Sequence, residues 1–268
     1  MSGKAYLIGA GPGRADLITV RGLNLLRQAD VVLYDWLVAP QLLEQAAPSA
    51  ERIFVGKAHD KHTLEQDAIT DLIVAHVRAG RQVARLKGGD PSVFGHAGEE
   101  ALALAEAGLP FEIVPGVSSA LAAPTYAGIP LTYRGVSTAF AVVTGHEAPG
   151  KNHSGTDWVA LARIPTLVVL MGLHRINAVC AALLAAGRLP ETPAAIISRA
   201  TTSDQRVLRA TLATMPEALR HANLPTPAVL VIGEVVALSE QLDWFAPAMV
   251  EVGFLPFDTL AGRRWDDS

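Results

Sequence analysis

Four consecutive strand ends in the first half of the chain carry residues suited to chemistry. Gly9-Ala10-Gly11-Pro12-Gly13 follows the β-rich run Ala5–Ile8, and Gly88-Gly89-Asp90-Pro91 follows Gln82–Leu86. Asp35 closes VVLYD, and Lys57 closes FVGK. Glycines at a strand end permit close backbone approach or positive φ. In open α/β sheets, ligands settle at the carboxyl ends of the strands. Backbone groups there could hold a ligand, while a carboxylate and an ammonium bind anions or move protons. A lone Asp or Lys at such a place is ordinarily a solvated charge; the set of four argues for a shared site.

Other chemistries fail on spacing. A dinucleotide loop requires GxGxxG opening directly into a helix, so that the pyrophosphate meets the helix N-terminus. Here Pro12 sits inside the loop and Arg14-Ala15-Asp16 delays the helix. There is no GxxxxGK[ST] for a nucleotide triphosphate and no GxSxG for a hydrolase. His59 and His62 are three apart, His96 and His146 stand alone, and no HExxH or Cys/His cluster exists, so no metal site is expected. The plainest reading of Asp90-Pro91 is a helix start, with Asp90 as N-cap and Pro91 at the first helical position. Two glycines ahead of it exceed what a cap requires.

The elements that must position these residues alternate. Further candidate strands are Val31–Tyr34, Arg52–Val55 and Phe111–Val114, with helical patterns near 17–28, 64–79 and 97–107. Thr63 and Gln66 form a potential capping box, ahead of an apolar face of Ile69, Leu72, Ile73 and Val77. This alternation implies a mostly parallel sheet covered by helices. The second half starts a similar series at Ala139–Thr144, Thr166–Leu170, Ala194–Ile197, Arg206–Leu208 and Ala228–Ile232. The expected organisation is two α/β domains with a cleft between them, residues 1–134 and 135–245, and a C-terminal extension, 246–268.

The 268 residues are 50% hydrophobic and 18% charged, enough for a sizeable core. A net charge of −4 argues against non-specific nucleic-acid binding. The single cysteine, Cys180, excludes a disulfide within the chain. The N-terminus lacks the marks of a signal peptide, and no apolar run reaches the ~18 residues of a membrane span, so a cytoplasmic protein is expected.

Several stretches, taken in order, resemble the tetrapyrrole methylases. They are YLIGAGPGRADLITVRG (6–22), ADVVLYDWLV (29–38), VGK (55–57), VARLKGGDPSVFG (83–95), VPGVSSALAAPTYAGIPLTYRG (114–135), VTGH (143–146), LMG (170–172) and PAVLVIGEVV (227–236). The resemblance implies the two-domain class III methyltransferase fold, a homodimer, and S-adenosyl-L-methionine folded into the interdomain cleft, with S-adenosyl-L-homocysteine as product. Within the family it points to C-methylation of uroporphyrinogen III at C2 and C7 to give precorrin-2, on routes to cobalamin or sirohaem. Alternatives are a methylase acting on a later precorrin, or a relative that binds the cofactor without turnover. No dehydrogenase or ferrochelatase module is expected, because none precedes Met1.

Carried over by position, the implied cofactor contacts are Pro12, Gly88, Gly89, Asp90, Val93, Phe94, Ser118, Ser119, Met171, Ala200 and Ala228. Asp35 takes the place of proton acceptor and Lys57 that of proton donor. A substrate with eight carboxylates requires a locally basic cleft, for which Lys57, Arg85, Lys87, Arg134, Arg175 and Arg199 are candidates. Three positions depart from the family pattern: His96 replaces a usual arginine, Tyr133 (before Arg134) a usual histidine, and Ala58 a usual basic residue. All three fall on the substrate side, where His96, Tyr133 and Arg134 are expected.

Overall fold

The computed structural model describes residues 3–56, 66–145 and 155–247. The first sheet consists of β1 (Lys4–Gly9), β2 (Val31–Tyr34), β3 (Glu51–Phe54), β4 (Gln82–Lys87) and β5 (Phe111–Val114). All its pairings are parallel, in the order β3-β2-β4-β1-β5. Its helices are α1 (Val20–Arg27), α2 (Pro40–Leu43), α3 (Gln66–Arg78) and α4 (Ala97–Glu106).

Side-chain alternation along the strands makes two apolar faces. Ile8, Val32, Ala84 and Leu86 pack with Leu26 of α1 and Leu42 of α2. Ala5, Val31, Leu33 and Val83 take Ile69, Ile73 and Val77 of α3 and Leu104 of α4. Arg85 and Lys87 follow Val83 at the period of the strand, so two bases stand on the α3–α4 face. The chain leaves β1 toward β2 and leaves the adjacent β4 toward β5, in opposite directions. The crevice at the carboxyl ends of β1 and β4 is therefore the switch point of the sheet.

After α5 (Ser119–Tyr126) the chain enters a second sheet, with β6 (Phe140–Thr144), β7 (Thr166–Leu170), β8 (Pro193–Ser198), β9 (Arg206–Thr211) and β10 (Ala228–Ile232). Its further helices are α6 (Trp158–Leu161), α7 (Ile176–Ala185), α8 (Met215–Ala222) and α9 (Ser239–Leu242). Here the expectation of a series like the first is corrected. The order is β6-β7-β10-β8-β9, and only β6 and β7 are parallel. Residues 199–205 between β8 and β9 are too few for a parallel crossover, which takes a dozen or more. One face of this sheet (Val168, Leu170, Ala195, Ile197, Val229, Val231) buries Ala120, Ala123 and Ala127 of the α5 segment. The other (Leu167, Val169, Ile196, Leu230, Ile232) buries α7 through Val179, Cys180 and Leu183.

The helix after Gly88-Gly89 starts where its pattern was read, but not on the expected cap. Asp90 does not cap it: α4 begins at Ala97, and its N-cap is His96, in the left-handed region at φ 57° with no side-chain cap. Thr63 lies outside the described residues, and the Gln66 amide is engaged elsewhere. Among the described residues, no helix is long and apolar enough to cross a membrane.

Candidate functional site

The two glycine loops are knitted to each other. Gly89 N–H donates to the Gly11 carbonyl at 2.7 Å, and Gly11 N–H donates back to the Gly89 carbonyl at 3.2 Å. A third loop, after β5, closes on both: a Cβ on Gly9 would lie 2.4 Å from Gly116 Cα and 2.8 Å from the Gly89 carbonyl oxygen. Asp90 locks this junction. Its Oδ1 accepts from Ser92 N–H at 2.8 Å and its Oδ2 from Gly116 N–H at 2.9 Å. The glycines thus join three strand ends. The space they leave lies over the start of α5, where a Cβ on Gly89 (φ +70°) would come within 3.7 Å of Ser119 N and 3.8 Å of Ser118 Cα. Ser118 caps α5, its side chain accepting from Ala120 N–H at 3.2 Å.

The second sheet meets the same loops. A Cβ on Gly13 would lie 3.1 Å from both the Ala200 carbonyl oxygen and Thr201 Oγ1, and Arg14 N–H donates to Thr201 Oγ1 at 3.0 Å. Pro12 is therefore flanked by a residue tied to Gly89 and a residue against Ala200. Thr201 N–H donates to Gln205 Oε1 at 2.8 Å, and Gln205 Nε2 donates to the Tyr126 carbonyl at 2.8 Å, which anchors the seam to α5. Val93 packs against the core of the second sheet. Ala228 opens β10 opposite Ser198, at the end of β8 that leads into Ala200.

Backbone strain recurs along the candidate stretches. Phe94, His96, Met171, Arg199 and Thr201 all have positive φ, between 46° and 70°. Such a conformation costs a non-glycine residue about 1–2 kcal/mol, and strain of this kind clusters at functional sites. Phe94 and Met171 are also 43% and 52% exposed, large apolar side chains left uncovered at strained positions.

Asp35 follows β2. Its Oδ1 accepts from Leu37 N–H at 3.0 Å, and its Oδ2 lies 3.6 Å from Arg85 Nη2. Leu37 lies against Gly88, whose Cβ would stand 2.6 Å from Leu37 Cβ. The Asp35 loop is thus seated beside the Gly88-Gly89 loop. Lys57 lies outside the described residues.

Arg85 and Lys87 are not the open substrate cations expected of them. Both are 4% exposed and face Glu100 of α4, which is 0% exposed. Glu100 Oε1 lies 2.7 Å from Lys87 Nζ and 3.4 Å from Arg85 Nε, and accepts from Gln66 Nε2 at 3.1 Å. Burial, reinforced by the charge of Arg85, pulls the Lys87 ammonium below its ordinary range against the opposing pull of Glu100. Sequence reasoning missed Glu100. Its signal was an acid on the buried stripe Ala97, Ala101, Leu104 of a helix, opposite two bases alternating on one strand.

The three substrate-side candidates are separated. His96 Nδ1 pairs with Glu99 Oε2 at 2.7 Å and lines a groove with Asp67, Asp71 and Glu99. Tyr133 and Arg134 are exposed in the turn that precedes β6, where Tyr133 exchanges backbone hydrogen bonds with Ser137 at 2.9 Å. Among the described residues, no group of three or more His, Cys, Asp or Glu could hold a metal ion.

Fold and site together define a class of protein: two α/β units, one parallel and one mixed, whose strand-end loops meet in a strained, glycine-lined seam. The chain belongs to the tetrapyrrole (corrin/porphyrin) methylases, whose family model matches residues 4–216. A uroporphyrin-III C-methyl transferase from Thermus thermophilus, solved with S-adenyl homocysteine, is 42% identical over 88% of this chain and 99% of its own, with a TM-score of 0.76. A cobalt precorrin-4 methyltransferase is 31% identical over 87% of this chain and 95% of its own, with a TM-score of 0.77. The siroheme synthase of Chromobacterium violaceum is 49% identical over 91% of this chain. That match covers 52% of the synthase, so the chain spans about half the length of the curated relatives it matches.

Proposed function

We propose that the chain transfers methyl groups from S-adenosyl-L-methionine to C2 and C7 of uroporphyrinogen III, giving precorrin-2. The observation that carries the reading is the likeness to the Thermus uroporphyrin-III enzyme over nearly the whole of that protein. The strand-end seam suits the cofactor. The space over the N-terminus of α5 favours an anionic carboxylate, and the exposed Phe94 and Met171 offer apolar surface to a base and a thioether chain.

In this reading Pro12, Gly88, Gly89, Asp90, Val93, Phe94, Ser118, Ser119, Met171, Ala200 and Ala228 form the cofactor site. Gly89 and Asp90 act by shaping it, since their polar groups already hold Gly11, Ser92 and Gly116. When bound, the cofactor supplies a methyl group already activated on a sulfonium. The residues of the chain hold the partners in line and remove the proton that the substrate loses. Asp35 is the acceptor and Lys57 the donor. Tyr133, Arg134 and His96 lie on the substrate side. The domains divide near residue 134, where the chain passes between sheets, although α5 already packs on the second sheet. The chain acts as a homodimer, which light scattering after gel filtration tests.

The deciding experiment is anaerobic incubation with S-adenosyl-L-methionine and uroporphyrinogen III, followed by mass spectrometry. Addition of two methyl groups is expected. Bound cofactor with no addition overturns the reading. Methylation of a later precorrin instead would favour the activity of the cobalt precorrin-4 enzyme, whose backbone matches this chain equally well.

A further inference from the structure

Arg85 is suspended between two carboxylates. Its Nε is 3.4 Å from Glu100 and its Nη2 is 3.6 Å from Asp35, so neither contact is close, while Nη1 is anchored on the Leu86 carbonyl at 2.8 Å. Glu100 binds through one oxygen only. Oε1 gathers Lys87, Arg85 and Gln66, and the buried Oε2 has no hydrogen-bond partner. A buried carboxylate with an unmatched oxygen is rare and retains a pull on nearby cations that its existing bonds do not exhaust. Among the described residues, the charged groups around Arg85 are Asp35 from the loop after β2, Lys87 from its own strand and Glu100 from α4, and α3 contributes the neutral Gln66. These four described charges sum to zero when all are ionised, which suits groups removed from water.

We infer that Glu100 is a positioning residue for methyl transfer: with Lys87 as its counterweight, it sets how strongly Arg85 draws on the Asp35 carboxylate. The inference rests on the reading of Asp35 as proton acceptor and goes beyond it, because it assigns control of that group to a side chain that touches neither substrate nor cofactor. Removing the Glu100 charge leaves Arg85 and Lys87 acting on Asp35 alone, which favours its ionised form and weakens it as a base. Removing the Lys87 charge frees Glu100 to draw Arg85 away, which does the reverse. A merely structural brace would not give effects of opposite sign.

The test is the pH profile of kcat for methyl transfer in Glu100→Gln, Lys87→Met and the double variant, with donor affinity measured by calorimetry. In Glu100→Gln the acid-side limb is expected to move down by about one pH unit, with kcat falling several-fold. In Lys87→Met the limb is expected to move up, and in the double variant to return toward the wild-type position. Donor affinity is expected to stay within about twofold throughout, since Lys87 and Glu100 meet through side chains on the α3–α4 face while the seam is held by backbone groups and Asp90. Unmoved limbs, or shifts of the same sign, overturn the inference even where the variants melt earlier. If Glu100→Gln does not fold, Lys87→Met decides alone. Asp35→Asn separates the two levels. Full activity in that variant overturns the role of Asp35, whereas loss of activity there with unmoved limbs elsewhere overturns the role of Glu100 only.

Discussion

Gly11 and Gly89, on loops that follow different strands, exchange both of their backbone hydrogen bonds. The loops that could hold a ligand are thus held first by each other, and Gly116 completes the junction from a third strand end. A Cβ on Gly116 would stand 2.3 Å from the Gly89 carbonyl oxygen and 2.6 Å from Gly9 Cα, both backbone atoms that cannot swing aside. Gly116→Ala should therefore cost about 1–3 kcal/mol, as overpacking does. It should also weaken donor binding, because the loops must part. Denaturant unfolding and calorimetry on the same sample check both effects; wild-type values for both would mean that the junction adapts freely.

Asp90 should behave as a clamp. Asp90→Ala removes acceptors from Ser92 N–H and Gly116 N–H, each worth about 1.5–3 kcal/mol when the acceptor is charged and less where water can replace it. Stability should fall by about 2 kcal/mol and donor affinity by tenfold or more, because the space between Gly89 and Ser118 is no longer fixed. Lys57→Ala, assigned to proton donation, should leave donor affinity nearly intact. Equal losses in the two variants by calorimetry would dissolve this division of labour.

Met171 shows the opposite balance between stability and function. It sits at φ 55° with half its surface exposed, so the fold gains little from its side chain and bears the strain of its backbone. Met171→Gly should leave the protein as stable as wild type or more stable by up to about 1 kcal/mol, while weakening donor binding through lost apolar contact. A thermal melt with and without S-adenosyl-L-homocysteine reads both: a higher midpoint without ligand and a smaller rise on adding it. An unchanged ligand-induced rise would remove Met171 from the site.

The parallel first sheet was legible because its strands are short β-branched runs punctuated by glycine and separated by periodic helices; Val31–Tyr34 and Phe111–Val114 have the bounds read from sequence. The strands of the second sheet were equally legible, Thr166–Leu170 and Ala228–Ile232 with the bounds read from sequence, but their directions were not, because strand periodicity is the same whichever way a strand runs. Only the short 199–205 link hinted at a reversal. The glycine loops, Asp35 and the motif order were legible at the level of position. What the sequence could not convey was which polar groups the fold itself uses. Asp90 reads as a helix cap or a ligand, yet it ties two loops. Arg85 and Lys87 read as substrate cations, yet both are buried, Lys87 on Glu100 of α4 and Arg85 between Glu100 and Asp35. Such pairings depend on which helix covers which face, information that no local pattern carries.

Away from the site, Glu112 on β5 gives a prediction with a definite sign. Arg21 of α1 donates to its Oε1, and Lys4 Nζ of β1 donates to its Oε2 at 3.0 Å. The Arg21 hydrogen bond, joined by Lys4, holds the Glu112 carboxyl below its ordinary 4.5, despite a smaller opposing effect of burial. The folded state therefore binds this proton less readily than the unfolded chain. The pairing stabilises the protein fully above 4.5, and its contribution is lost as pH falls through the lowered value. Because Arg21 is largely solvated and Lys4 and Glu112 are partly exposed, the contribution should be under about 1 kcal/mol at neutral pH. Glu112→Gln should thus lower the urea midpoint slightly at pH 7, and the difference from wild type should shrink steadily as pH drops below 4.5. Added salt should shrink it at pH 7 as well. A difference that did not shrink at any pH below 4.5 would show that Glu112 acts by packing and not by charge.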